Sequence, residues 1–173
     1  MAAVAVLVMG AVSAITTSPA TQGAKFGGLG SAHVHAAFVL KIENHYIDFS
    51  NSQYQVKSPY IHVENGVGTT LHKHATDAPF GEFLKSVGMS ISENGCFVLL
   101  TDGAGEKAYC PTDGKKLRFF VNEVDHPPSS IMGYVLQDND RFLVIYGDQT
   151  ADEIKQELQR LKEIPIFKNE VKQ

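Results

Sequence analysis

From residue 34 to residue 42 the chain alternates. Val34, Ala36, Phe38, Leu40 and Ile42 take every second place, between His35, Ala37, Val39 and Lys41. A period of two belongs to a β-strand with one face on a core, and here the even positions form that face. Such a strand constrains everything paired to it, because a slip of one residue turns a neighbour's side chains to the opposite face. His33 and His35 share the odd face, about 7 Å apart along the strand.

Further strands are expected around this one. Glu43-Asn44-His45 turns the chain back into Tyr46 to Phe49, and residues 60–64 and 69–74 pair across Asn65-Gly66-Val67-Gly68. A short helix follows, capped by Thr76 or Asp77, with Pro79 in its first turn. Its buried stripe is Phe80, Phe83, Leu84 and Val87, and Gly88 ends it. Strands are expected again at 117–121 and 142–146. Thr150-Ala151-Asp152-Glu153 then opens a last helix as a capping box, with Ile154, Leu158 and Leu161 on one face and Pro165 as the stop. Strands on both sides of a single central helix imply an α+β fold, the helix lying across a mixed sheet.

Cys96 and Cys110 flank Asp102-Gly103-Ala104-Gly105, a hairpin signal. With a three-residue loop at 102–104, residue 101 pairs with 105 and Cys96 falls opposite Cys110. A cross-strand disulfide follows, against the alternative of two buried thiols in a reducing compartment. Fourteen residues separate the two cysteines, and neither has a nearby cysteine partner for a metal site.

The amino terminus agrees with an oxidising destination. Residues 1–15, MAAVAVLVMGAVSAI, carry no charge and as a helix reach about 22 Å, short of a ~30 Å hydrocarbon core. They read as a signal peptide, with cleavage after Ala14, or as a membrane anchor; no Lys or Arg precedes the apolar run. Residues 16–31, small and glycine-rich, read as a flexible tether. The expected organisation is 1–15 leader, 16–31 tether, 32–147 domain and 148–173 carboxy-terminal helix and tail. Fifteen Lys and Arg against nineteen Asp and Glu leave a net charge of −4, without the basic footprint that nucleic-acid binding requires.

Two resemblances arise from these segments. FGEFLKSVGM and YVLQDNDRFLVIYG resemble the β-grasp domains related to the transcobalamin carboxy-terminal module, which implies a β-grasp-like sheet. Some β-grasp relatives bind cobalamin, but a single small domain without a partner half does not imply it here. More specifically, the His-x-His start, YIHVENGVGTTLHKHA, the cysteine pair and DNDRFLVIYG resemble small exported proteins of ammonia-oxidising archaea and some uncultured bacteria. That resemblance implies an extracytoplasmic, secreted or membrane-anchored protein, and it implies no catalytic activity.

Six of the seven histidines lie between His33 and His74. His72 and His74 repeat the i, i+2 spacing of His33 and His35. His62 falls opposite His72 if the register allows; a slip of one residue would turn it away. Imidazoles gathered on one sheet face suit Cu²⁺ or Zn²⁺. The candidate metal ligands are therefore His33, His35, His62, His72 and His74, with Glu64 and Asp77 as carboxylates that could complete or orient the site. Each histidine alone also has a plain reading, as a polar-face residue or, for His33, as part of the tether. His45 reads as a solvated turn residue and His126 as a loop residue. Met89 and Met132 are the only methionines of the domain, a poor set for a Cu(I) thioether site.

Copper stands above zinc in affinity for such ligands and is oxidised outside the cell, and the copper dependence of ammonia oxidation leans the same way. The first expectation is an exported copper or zinc carrier, buffer or accessory donor. The second is a non-catalytic interaction module or accessory subunit of a membrane complex, in which the histidines would lie apart. An enzyme is the weakest expectation, since no nucleophile elbow, phosphate-binding loop or Cys-x-x-Cys motif is present.

Overall fold

The computed structural model of the protein describes residues 26–101 and 105–168. The expected leader, the first part of the tether and the tip of the cysteine hairpin lie outside the described residues.

The alternating run is a strand, β1 (Val34–Ile42), and it sits at the centre of the main sheet. The other members are β2 (His45–Tyr46), β3 (Ile61–His62), β4 (Thr70–Lys73), β8 (Lys116–Val121), β9 (Val124–His126) and β10 (Arg141–Gly147). Their order is β3-β4-β1-β10-β8-β9, with β2 paired to the end of β1. β1 and β10 run parallel, from Ala37 beside Arg141 to Ile42 beside Tyr146, and the other pairs are antiparallel. The sheet is mixed, its parallel pair made by the first and last strands, with helix α1 (Phe80–Ser86) between them in the chain. This is the β-grasp-like α+β arrangement expected from the sequence. Strands β5 (Met89–Ile91), β6 (Phe97–Thr101) and β7 (Gly105–Tyr109) form a second, three-stranded sheet.

Both faces of the main sheet are covered in its middle. The even residues of β1 and β10 join the odd residues of β8 and the α1 stripe in one core, where Phe38, Phe80, Phe83, Phe119 and Phe142 are almost fully buried. The Phe142 ring stacks between Phe80 and Phe119, at 5.6 and 6.0 Å. On the opposite face Ala37, Phe120, Leu143 and Ile145 meet Ile154 and Leu161 of α2 (Ala151–Glu163). Two covered faces explain why β10 is apolar at successive positions rather than at alternate ones. Thr150 and Glu153 form the expected capping box of α2, and the helix ends before Pro165.

The structure departs from the expectations at four places. The strand after the first turn is only two residues long, because Asp48 Oδ1 accepts the Ser50 N–H and bends the chain away, delivering Phe49 to the core instead. Helix α1 starts at Phe80 with Pro79 as its cap and no side-chain cap bond; neither Thr76 nor Asp77 caps it. Asp77 takes a left-handed turn (φ 58°), and the Phe80 N–H is satisfied by the Tyr134 carbonyl at 2.7 Å. Gly88, at φ 76°, does follow the helix end as expected. His126 lies in strand β9 rather than in a loop, its ring 5.9 Å from Phe119. Finally, the tether is held where it is described. The Gly27 and Gly30 amides donate to the Thr76 and His74 carbonyls, and Phe26 packs edge-on against Tyr60. A side chain at Gly27 would collide with Thr76 Oγ1, so glycine there permits close docking.

The cysteine hairpin follows the expected register. Thr101 pairs with Gly105 and Phe97 with Tyr109, and Cys96 is bonded to Cys110 just beyond. Removing the crosslink in a C96S/C110S variant is expected to lower unfolding stability by about 3 kcal/mol. Chemical denaturation of the oxidised wild type beside the variant measures it, and coincident midpoints would contradict it.

Candidate functional site

The register left open by the sequence decides the site. His35 of β1 stands beside His72 of β4, and His72 stands beside His62 of β3. Three imidazoles therefore lie abreast on three adjacent strands, on the face that α2 covers further along β1. The next paired positions, Val34 and Lys73, point to the other face; beyond them His33 and His74 bring the second imidazole of each His-x-His pair back.

The five rings form a closed circuit. Centre-to-centre separations are 4.7 Å for His33–His35, 4.8 Å for His35–His72 and 6.2 Å for His72–His62. His62–His74 at 5.0 Å and His74–His33 at 5.4 Å complete it. His35, His62 and His72 are buried, His74 is half-buried and His33 is exposed, so the cluster has a closed inner side and an open outer one. All five candidate ligands named from the sequence are together. His45 is exposed on β2 and His126 packs near Phe119, both outside the circuit.

Of the two candidate carboxylates, Glu64 is at the site. Its Oε2 lies 3.4 Å from His62 Nε2 and its Oε1 lies 3.5 Å from His72 Nδ1. Asp77 is exposed in the turn before α1, where its charge acts on Lys73.

Hydrogen bonds specify some of the ring nitrogens. His62 Nδ1 is 2.7 Å from the Ser58 carbonyl oxygen, which can only accept, so Nδ1 carries a proton. When neutral, His62 then presents the Nε2 lone pair toward a carboxylate oxygen, an arrangement that a shared cation relieves. His35 Nε2 is buried without any hydrogen-bond partner. Its Nδ1 faces Asp138 Oδ1 at 3.8 Å. Neither Ser58 nor Asp138 was singled out from sequence. Ser58 contributes a backbone atom, which no residue type announces, and Asp138 lies over a hundred residues from the histidine it meets.

The electrostatics favour neutral rings. Burial pushes the His72 imidazole down to about 4, aided by His35, His62 and His74 and opposed by Glu64. Burial also lowers His35, with His33 adding to it and Asp138 opposing, and it lowers His74, with His62 and His33 adding. At neutral pH these three rings keep the lone pairs that a cation would use.

Comparison of the chain with protein-family models, with curated proteins and with solved structures finds no match in any of the three. Among the described residues no helix is long and apolar enough to cross a membrane.

A consequence for the metal-free protein follows. In the unfolded chain the His72 ring takes up its proton near pH 6.5, and in the folded protein only near pH 4. Between these values the unfolded state binds more protons, so the contribution of His72 to stability falls as pH drops from about 6.5 to about 4 and then levels off. The His72 share of that loss is about 3 kcal/mol. Urea unfolding at pH 7.5, 5.5 and 4.0 measures it, and a His72→Asn variant is expected to show a flatter profile.

Proposed function

We propose that the protein is an exported metal-binding protein that acts as a carrier, buffer or accessory donor of copper, with zinc as the second choice, through His33, His35, His62, His72 and His74. The observation that carries this reading is the closed circuit of five imidazoles.

Ring spacing supports it quantitatively. With a metal–nitrogen bond of about 2.1 Å and the ring centre about 1.1 Å beyond, adjacent imidazoles on one ion sit about 4.5–5.2 Å apart, for angles from cis square-planar to tetrahedral. The separations of 4.7, 4.8 and 5.0 Å fall within that interval, and the 5.4 Å of His33–His74 lies just beyond it. The nitrogens themselves are not yet turned to a common point. Among the described residues no group of three or more His, Cys, Asp or Glu is set to hold a metal ion as it stands. Binding on this reading includes rotation of rings about their side-chain bonds, for which exposed His33 and half-buried His74 have the room. The Ser58 carbonyl on His62 Nδ1 is the kind of outer hydrogen bond that metal-bound imidazoles make.

Copper is preferred because nitrogen ligands bind it more tightly than zinc, and because an exported protein meets its oxidised form. The Cys96–Cys110 disulfide is compatible with an oxidising compartment. Separated histidines would have favoured the alternative, an interaction module of a membrane complex; the observed circuit favours metal handling. An open outer side, with His33 exposed, suits loading and release rather than catalysis on a sequestered substrate.

The test is titration of the protein with Cu²⁺ and Zn²⁺, beside an H72A/H74A variant. The expected result is stoichiometric, sub-micromolar binding in the wild type, weakened at least a hundredfold in the variant. No binding by the wild type would overturn the reading and turn attention to protein partners.

A further inference from the structure

The turn Gln137-Asp138-Asn139-Asp140, which leads into β10, grips one histidine of the circuit from both sides. Asp138 Oδ1 accepts the His35 backbone N–H at 3.0 Å, and the Asn139 N–H donates to the His35 carbonyl at 2.8 Å. The same Oδ1 lies 3.8 Å from His35 Nδ1, while His35 Nε2 is buried with no partner. A neutral imidazole has one donor nitrogen and one acceptor nitrogen. At 3.8 Å the Asp138 carboxylate acts on Nδ1 through its charge rather than a hydrogen bond, and that charge favours the form in which Nδ1 holds the proton and the lone pair lies on Nε2.

We propose that Asp138 is a positioning residue that holds His35 in the Nδ1–H tautomer, so that the buried Nε2 is a prepared donor for the ion; this rests on the metal-binding reading above. A buried acceptor without a partner is costly, about 1–3 kcal/mol, and metal coordination would satisfy it. A carboxylate on the far nitrogen of a metal-bound imidazole fixes the ring and strengthens its donor atom.

The carboxy-terminal strap shares this carboxylate. Beyond α2, Arg141 Nη1 donates to the Leu161 and Ile164 carbonyls, the Phe167 N–H donates to Thr70 Oγ1, and Lys168 Nζ donates to Asp138 Oδ2 at 2.9 Å. Asn139 Nδ2 also donates to Oδ2, at 3.0 Å. Oδ1 thus serves His35, and Oδ2 is held by Lys168 and Asn139. If Asp138 served only to anchor the strap, loss of Lys168 would matter as much as loss of the carboxylate charge.

The experiment compares the full chain with D138N and K168A. The D138N side chain keeps an oxygen for the His35 N–H and loses the charge, so the turn has a route to persist. Imidazole ¹⁵N chemical shifts of His35 in the metal-free protein at pH 7.5 read the tautomer, and Cu²⁺ and Zn²⁺ titrations read affinity. The expected results are an Nδ1–H ring in the wild type and K168A, a shift toward Nε2–H in D138N, and about ten- to hundredfold weaker binding in D138N alone. An Nε2–H ring in the wild type, a tautomer indifferent to D138N, or equal losses of affinity in both variants would overturn the proposal. Failure of the wild type to bind either ion, with the Nδ1–H ring intact, would overturn the metal reading while upholding the orientation of His35.

Discussion

The pairing of β1 with β10 is the contact on which the remainder depends. It joins the first strand to the last, separated by nearly a hundred residues, and it sets which face of β1 meets which helix. With Phe38 beside Phe142 and Leu40 beside Val144, the even residues of both strands enter the core under α1, and the odd residues meet α2. His35 is an odd residue, so it lies on the α2 face, beyond the stretch that Ala37 and Val39 share with that helix. The turn that begins β10 then meets the start of β1, which is how Asp138 comes to His35. One register places both the histidine and the carboxylate behind it.

Much of this was legible in the sequence, for reasons that differ from element to element. β1 announced itself because one face is apolar without interruption. The cysteine hairpin was legible because its loop length and the cysteine positions agree on one register. The alignment of His62 with His72 was only conditional, since a two-residue strand carries too little pattern to exclude a slip. The start of α1 was misplaced because its first N–H is capped from Tyr134, a tertiary contact invisible to local reading. The docked part of the tether misled for the opposite reason. Glycines that suit a flexible linker also allow close approach of backbones, as Gly27 does against Thr76.

The histidine face would be an unusual way to fill a core. A row of Val or Leu at positions 35, 62 and 72 would bury comparable surface without leaving a ring nitrogen unsatisfied. Burial holds His72 and His35 neutral and thereby avoids the larger penalty of a buried charge, but it does not supply a partner for His35 Nε2. Glu64 divides its oxygens between His62 and His72 rather than neutralising a single imidazolium. Such an arrangement is consistent with a positive guest shared by several rings.

Lys73 shows how the same sheet manages a buried cation with a partner in the protein itself. It lies between His72 and His74 in the chain, on the other face, and is as buried as His35, His62 and His72. Its ammonium is directed to the Leu136 carbonyl at 2.6 Å, and burial lowers its proton affinity against the pull of Asp77 and Asp140. The ammonium therefore has a partner in the protein itself, and the site is complete. The histidine face differs in that respect: the buried His35 Nε2 has no hydrogen-bond partner, and a carboxylate faces imidazole nitrogens across 3.4 and 3.5 Å. The contrast between two faces of one four-residue strand sets a polar group with its own partner against a polar group without one, and it is the physical ground for the proposal that a ligand binds on the histidine side.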